Sequence, residues 1–244
     1  MPAILLPKEV IESSREKSLE AKRLTVVATT IGISIISLFF LKDKTWSNGN
    51  TAAGLFAVNG FLFALHGVYY RDSAFGRLAV FGITFGIVEL IADALCVGIT
   101  KTLSYAPAKS TMIWLSPWWM PGAWAIVSMQ IGYLGARLIQ KLGNLHGAAL
   151  CAIIGAVNIP FYEEMAYHAH WWSYHSCRMI GHTPVYIIVA ESIIGACLAP
   201  LAKSALEATL QVNVIKSGLV AGLSTIIGGL IGYGAIEVVL KNAV

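Results

Sequence analysis

Charge is what this sequence has least of. Asp, Glu, Lys and Arg together make up 12% of its 244 residues, about half the share of a soluble globular domain. That is too little to coat a water-facing surface of this size, which excludes a soluble enzyme. The net charge of +4 comes from 17 basic and 13 acidic residues, and most of these sit in short loops. They are a topology signal rather than a nucleic-acid footprint. Short strands of alternating polarity are also missing, which excludes a β-barrel. The four cysteines (Cys96, Cys151, Cys177, Cys197) show no CxxC spacing. No zinc or redox pair is therefore expected from them, and they read as small apolar packing residues.

What is present is long apolar sequence. Hydrophobic residues make up 57% and the mean hydropathy is +0.70. The expected class is an all-α integral membrane protein, a bundle of about seven transmembrane helices. The apolar runs fall at about 24–41, 52–70, 78–100, 121–140, 147–162, 184–201 and 218–240, each close to the ~20 residues that cross a bilayer. The fifth is short and is expected to end at Pro160. Residues 1–23 mix Lys8, Arg15, Lys17, Lys22 and Arg23 with Glu9, Glu12, Glu16 and Glu20. They read as a polar helical lead-in, too acidic and too long for the start of a signal peptide. Residues 24–244 read as one transmembrane domain, with no internal repeat and no second domain. Gly228 and Gly232 stand at small-xxx-small spacing, which predicts close helix packing.

Lys and Arg set the orientation. Lys8, Arg15, Lys17, Lys22, Arg23, Arg71, Arg77, Arg137, Lys141, Lys203 and Lys216 fall on the side of the N-terminus. Lys42, Lys44, Lys101, Lys109, Arg178 and Lys241 fall on the other. The excess places the N-terminus in the cytoplasm.

The polar residues inside the spans are unevenly placed. Asp93 stands seven residues before the outer end of span three, and Glu191 seven residues after the outer start of span six. At 1.5 Å rise per residue both are about 10 Å deep. Glu89 is one turn below Asp93 and on the same helix face. Asn59, Gln130 and Asn158 reach similar depths from spans two, four and five. Single amides of this kind also serve as helix–helix glue. Glu89, Asp93 and Glu191 have no embedded Lys or Arg to pair with, and carboxyl groups in a membrane point to function. Burial and a neighbouring carboxylate both favour the protonated form of an acid, and a neutral buried carboxylic acid is a proton donor. His66, alone in span two, reads as a core histidine with its hydrogen bonds satisfied.

All seven tryptophans map to the same outer side: Trp46, Trp114, Trp118, Trp119, Trp124, Trp171 and Trp172. An interfacial belt would populate both faces. A one-sided set also suits an aromatic lid over an apolar pocket, where ring faces stabilise cations. The loop SPWWMPGAW (116–124) brackets two of them with prolines, which predicts a stiff capping or re-entrant element.

Residues 158–191, NIPFYEEMAYHAHWWSYHSCRMIGHTPVYIIVAE, are the richest in chemistry. They hold Glu163, Glu164, His168, His170, His175, His182, Tyr162, Tyr167 and Tyr174. Glu164 and His168 at i,i+4 could chelate a metal, or the segment could be a polar rim whose histidines are hydrogen-bonded. The HxxxH and HxxHH boxes of membrane di-iron desaturases are missing, so the expectation is no metal and no cofactor.

Some of these stretches resemble membrane enzymes of isoprenoid chemistry. AESIIGACLAPLA (190–202), preceded by WWSY (171–174), is similar to the last motif of the sterol-isomerase-like emopamil-binding family, with Ala199 in place of that family's glycine. Chain size, seven spans and paired acids resemble the integral-membrane terpene cyclases. The order Glu163–Glu164, Trp171–Trp172, Glu191 resembles membrane carotenoid hydratases. These resemblances imply acid-initiated cyclisation, isomerisation or hydration of a lipid-soluble terpenoid or carotenoid. Catalytic roles then fall to Glu89 or Asp93 as general acid, Glu191 as base or cation stabiliser, and Glu164, His168 and His170 near the rim. Trp118, Trp119, Trp171, Trp172, Tyr174, Asn59, Gln130 and Asn158 would contact substrate. The expected partners are that substrate and membrane lipids, with no nucleic acid. Other readings of the same residues are a proton- or cation-coupled transporter, a non-catalytic pigment- or quinone-binding protein, and a metal-dependent lipid oxidase.

Overall fold

The computed structural model describes residues 8–239, with side chains from Ser14 onward. Lys8, Glu9 and Glu12 as charged side chains, Lys241, and the last residue of the seventh expected span lie outside the described residues. Seven long helices form the chain: α1 (Lys8–Leu41), α2 (Gly49–Tyr69), α3 (Ser73–Ala94), α4 (Met120–Leu142), α5 (Asn144–His168), α6 (Val185–Glu207) and α7 (Gln211–Tyr233). Six of them are long and apolar enough to cross a membrane. The exception, α4, packs against α3, α5 and α6. Its Ser128 and Gln130 are buried in protein, so this helix does not need a lipid-compatible surface all round.

Two boundaries differ from the sequence expectation. The polar lead-in is not a separate segment, because α1 runs unbroken through residue 23. Nor does the fifth span end at Pro160, since α5 continues through it to His168. Proline is tolerated inside a membrane helix, and Thr183 Oγ1 donates to the carbonyl of Pro160 (3.4 Å), tying this stretch of α5 to the chain just before α6. The extra turns carry Glu163 and Glu164 on the helix instead of in a loop.

At the N-terminal end of α3 a buried charge cluster joins four helices. Asp72 caps α3 by accepting from Ala74 N (3.1 Å). The same carboxylate takes a two-pronged bond from Arg23 of α1 (Nε 2.7 Å, Nη2 2.8 Å) and faces His66 Nε2 of α2 at 3.3 Å. His66 is thus a core histidine with a partner, packed on Phe75. Arg23 also bonds Glu16, and Glu20 forms an ion pair with Arg137 and accepts from Tyr133 Oη of α4.

The opposite end carries all the tryptophans and a cap of short strands. β1 (Leu103–Ser104), β2 (Met112–Ile113) and β3 (Ser116–Pro117) lie between α3 and α4. β4 (Ser173–Tyr174), β5 (Met179–Ile180) and β6 (Thr183–Pro184) lie between α5 and α6. These two stretches are copies of one structure, which corrects the expectation of no internal repeat. Each begins after a left-handed residue, Lys101 (φ 53°) or His170 (φ 58°). Each passes a second, Lys109 (φ 50°) or Ser176 (φ 57°), and turns its hairpin on a third, Trp114 (φ 56°) or Gly181 (φ 60°). Each closes with an equivalent bond, Trp118 N to Thr111 O (3.1 Å) and Val185 N to Arg178 O (2.9 Å). In sequence the copies share only Ser-Tyr (104–105, 173–174) and Met-Ile-x-x-Ser/Thr-Pro (112–117, 179–184). β1 pairs antiparallel with β4, and Ser104 stands opposite its own counterpart Ser173. A local twofold axis therefore passes through this pair. Helix pairs α3–α4 and α5–α6 both rise to the cap and return, so the repeat is parallel, with its axis along the bundle.

The last helix, α7, wedges between the copies. Its Gly218 and Gly222 lie against α3 at Phe81 and Val88, and Gly228 and Gly232 lie against α6 at Ala190 and Tyr186. A Cβ on Gly232 would clash with the carbonyl oxygen of Tyr186, so the small-xxx-small pair does set a close helix contact.

Two outcomes follow from these contacts. Asp72→Asn leaves the Arg23 guanidinium buried without its carboxylate, at a cost of about 3–5 kcal/mol. It should lower the melting temperature in detergent well beyond Glu16→Gln. Burial alone would raise the Asp72 pKa, but the Arg23 bonds hold it below the ordinary aspartate range. The contribution of Asp72 is therefore complete above that range and is lost as the pH falls through the lowered folded value, which a pH series of melting curves would read as an acid-side loss absent in Asp72→Asn.

Candidate functional site

One cavity of about 120 Å³ lies on the repeat axis, just beneath the cap. Several water molecules fill a space of this size if it is polar enough. Its lining comes largely in matched pairs, one residue from each copy: Tyr105 with Tyr174, Leu103 with Trp172, Ala123 with Ala190. The most consequential pair is Asp93 with Glu163. A π-helical turn at Leu95–Ile99 adds one residue to the first copy. Thr102 N accordingly reaches back to Cys96 O, while its counterpart Trp171 N reaches back to Ala166 O, both at 2.9 Å. Asp93 and Glu163 each stand three residues before that carbonyl, so they are the same position in the two copies.

Both acids are held by the same tyrosine. Tyr105 Oη donates to Asp93 Oδ2 (2.6 Å), and Tyr174 hydrogen-bonds Glu163. Each also has a second donor: Ser116 Oγ to Asp93 Oδ2 (2.8 Å), and the indole N–H of Trp172 to Glu163. Burial lifts both phenols well above the usual tyrosine range. The neighbouring carboxyl groups, Asp93 beside Tyr105 and Glu163 beside Tyr174, lift them further. They remain neutral donors across the physiological range.

The mismatched pairs supply the asymmetry. Glu89 faces Ile159 of the other copy, and Trp124 faces Glu191; all four line the cavity. Glu89 hydrogen-bonds Asp93, and its Oε2 is buried with no partner. Asp93 Oδ2 already accepts from two hydroxyls, and the contact between the two carboxyl groups requires one proton shared by the pair. No Lys, Arg or His is among the residues lining the cavity. The walls are otherwise mostly apolar and aromatic, including Phe56, Tyr162 and Tyr186, with Thr100, Asn158 and Thr225 as further polar groups. At α7 the lining includes Leu230, which is 57% exposed on the lipid-facing side.

The structure gathers some of the expected site residues and disperses others. Glu89, Asp93, Glu191, Asn158, Trp172 and Tyr174 line the cavity. Trp119 and Trp171 are buried just outside its lining, with Trp119 stacked on Phe56 (5.8 Å) and Trp171 donating to Thr51 (3.1 Å). Trp118 is half exposed. Asn59 bonds Ser34 between α2 and α1 (2.9 Å), and Gln130 is buried in α4; neither lines the cavity. Glu164 and His168 meet at the outer rim (3.1 Å), and His170 is exposed in the turn after α5. Glu163 and Tyr105 were missed as site residues, the first because a helix ending at Pro160 puts it in a loop. The spacing from Asp93 to Tyr105, nearly repeated from Glu163 to Tyr174, was the available signal.

The fold and the site define an all-α membrane bundle with a buried, acid-lined chamber formed by two cap-bearing hairpins. The chain belongs to the family described as a domain of unknown function (DUF6989), which matches residues 90–236. That stretch holds Asp93, Glu163, Glu191 and both copies of the cap. No curated protein and no solved structure matches the chain.

If the two tyrosines hold the acids in place, Tyr105→Phe and Tyr174→Phe should each cost about 1 kcal/mol or more, the order of a buried hydrogen bond. Thermal unfolding in detergent would read this, and the exposed Tyr69→Phe should leave it unchanged.

Proposed function

We propose that this protein is an integral membrane enzyme that performs acid-initiated chemistry on a lipid-soluble isoprenoid, of the terpenoid or carotenoid class. The observation that carries the reading is the Glu89–Asp93 pair. It is a pair of buried carboxyl groups in contact, one with an oxygen left free and the other oriented by two hydroxyls, in a chamber with no basic side chain. Glu89 delivers its proton to a substrate alkene or epoxide, and the alkene π electrons, or an oxygen lone pair, form the new bond to hydrogen. The carbocation that results lies between aromatic faces such as Trp124 and Trp172, which favour positive charge. Glu191, across the chamber, then takes a proton from an adjacent carbon and the electron pair closes a double bond; in a hydration, water supplies the nucleophile and loses its proton there. The proton taken up by Glu191 then passes back across the chamber to the Glu89–Asp93 pair, which again shares a single proton for the next turnover. Access from the lipid side at Leu230 suits a substrate that never enters water.

Lipid extracts from cells with and without the gene, compared by mass spectrometry, would identify substrate and product. With that substrate, Glu89→Gln, Asp93→Asn and Glu191→Gln should each lower turnover by roughly a hundredfold, the scale for losing a general acid or base, while melting curves stay cooperative. Full activity in all three would remove the proposal.

A second reading is proton- or cation-coupled transport, and the parallel repeat favours it, because some transporter folds are built from such repeats with the site on the axis between them. Proton flux in liposomes separates the two. Flux without a lipid substrate, abolished by Glu89→Gln, would support transport over catalysis.

A further inference from the structure

Outside the chamber, one cluster of ligating side chains is not used by the chemistry above. Glu164, in the last turn of α5, lies between two histidines. Its Oε1 is 3.1 Å from His168 Nε2, and its Oε2 is 2.8 Å from His182 Nδ1. The donor atoms all fall within 4.8 Å of one another. The other nitrogen of His168, Nδ1, is 2.7 Å from Asp43 Oδ1, just after α1. Both ring nitrogens of His168 thus face carboxylate oxygens, while a neutral imidazole has one proton to give. The nitrogen that faces Glu164 therefore carries either a second ring proton or a metal cation.

Three further facts point to a built site. A carboxylate on the remote nitrogen is the usual support of a metal-binding histidine, fixing its tautomer and orientation. Ligands at the 2.0–2.2 Å bond lengths of zinc stand roughly 3.4 Å apart around a tetrahedron, against 3.1 and 2.8 Å for the two histidine–carboxylate separations and at most 4.8 Å for the set. The hairpin that brings His182 turns on Gly181, at φ 60°, where an added Cβ would lie 3.2 Å from Glu164 Oε2. The repeat supplies a comparison within the molecule. The first copy has the same backbone, but Leu115 stands at the place of His182 and lies against Gly98. The cluster is therefore not a by-product of the cap fold.

We propose that Glu164, His168 and His182 form a site for a zinc-type divalent cation, with Asp43 as the group that orients His168. Two imidazoles and one carboxylate suit zinc and its first-row neighbours over magnesium or calcium. Three protein ligands leave a fourth position open. The site would tie the end of α5 to the β5–β6 hairpin and, through Asp43, to the end of α1.

The test uses the full chain in detergent, stripped with chelator and titrated with zinc, with magnesium as the control. One zinc is expected per chain, together with a rise in melting temperature that magnesium does not give. His168→Gln and His182→Gln should lower zinc affinity at least tenfold, and Asp43→Asn by about 10- to 100-fold, with His146→Ala at the far end of α5 unchanged. Cobalt in place of zinc should give a visible spectrum of nitrogen ligation that the histidine variants lose. Absence of zinc binding by the wild-type chain overturns the proposal whatever the variants do. Binding that survives both histidine changes, or a cobalt spectrum without imidazole ligation, overturns it as well.

Discussion

A carboxyl group set among apolar helices must find hydrogen-bond donors, because neither lipid nor hydrocarbon side chains supply any. Most of the architecture at the tryptophan end answers that requirement. The strand pair β1–β4 carries Tyr105 and Tyr174 to the two equivalent acids, and each cap adds one more donor, Ser116 or Trp172. Because those donors come from the cap and the acids from α3 and α5, neither copy completes its half of the site from its helices alone. At the other end the same constraint is met differently. There a guanidinium and an imidazole surround one aspartate, and the result is a structural cluster.

The sequence was informative where the physics is one-dimensional. Length and hydropathy carry the helices, since each apolar run must cover the same thickness. The register of Glu89, Asp93 and Glu191 follows from helix rise alone, and all three reached the cavity. The sequence was silent where partners come from afar. Asn59 and Gln130 are as deep as the acids, yet depth says nothing of azimuth, and their helix faces turn away from the axis. Glu163 was obscured by Pro160, whose local preference to end a helix gave way to the packing of α5 against α6. The repeat was hidden for a related reason. It resides in left-handed backbone at positions filled by Lys and His, Lys and Ser, Trp and Gly. Side-chain type does not recur there, and one π-helical residue shifts the frame between acid and tyrosine.

The helix α7 belongs to neither copy, and it decides the shape of the chamber. By lying between α3 and α6 it reduces their direct contact, while α4 and α5 pack closely. Its glycines permit the contact on both sides. The ring of helices is thus closed by a segment with small residues inward and leucine and isoleucine outward, among them Leu230, which both lines the chamber and is exposed.

The pairing of Ser104 with Ser173 has a consequence for anything the chamber holds. A container with a true twofold axis offers an elongated guest two indistinguishable poses, end for end, and only one of them can present a given atom to a given acid. The substitutions that break the equivalence, Glu89 against Ile159 and Trp124 against Glu191, lie on the walls themselves. They give the chamber a head and a tail, and so convert a degenerate fit into a single binding direction.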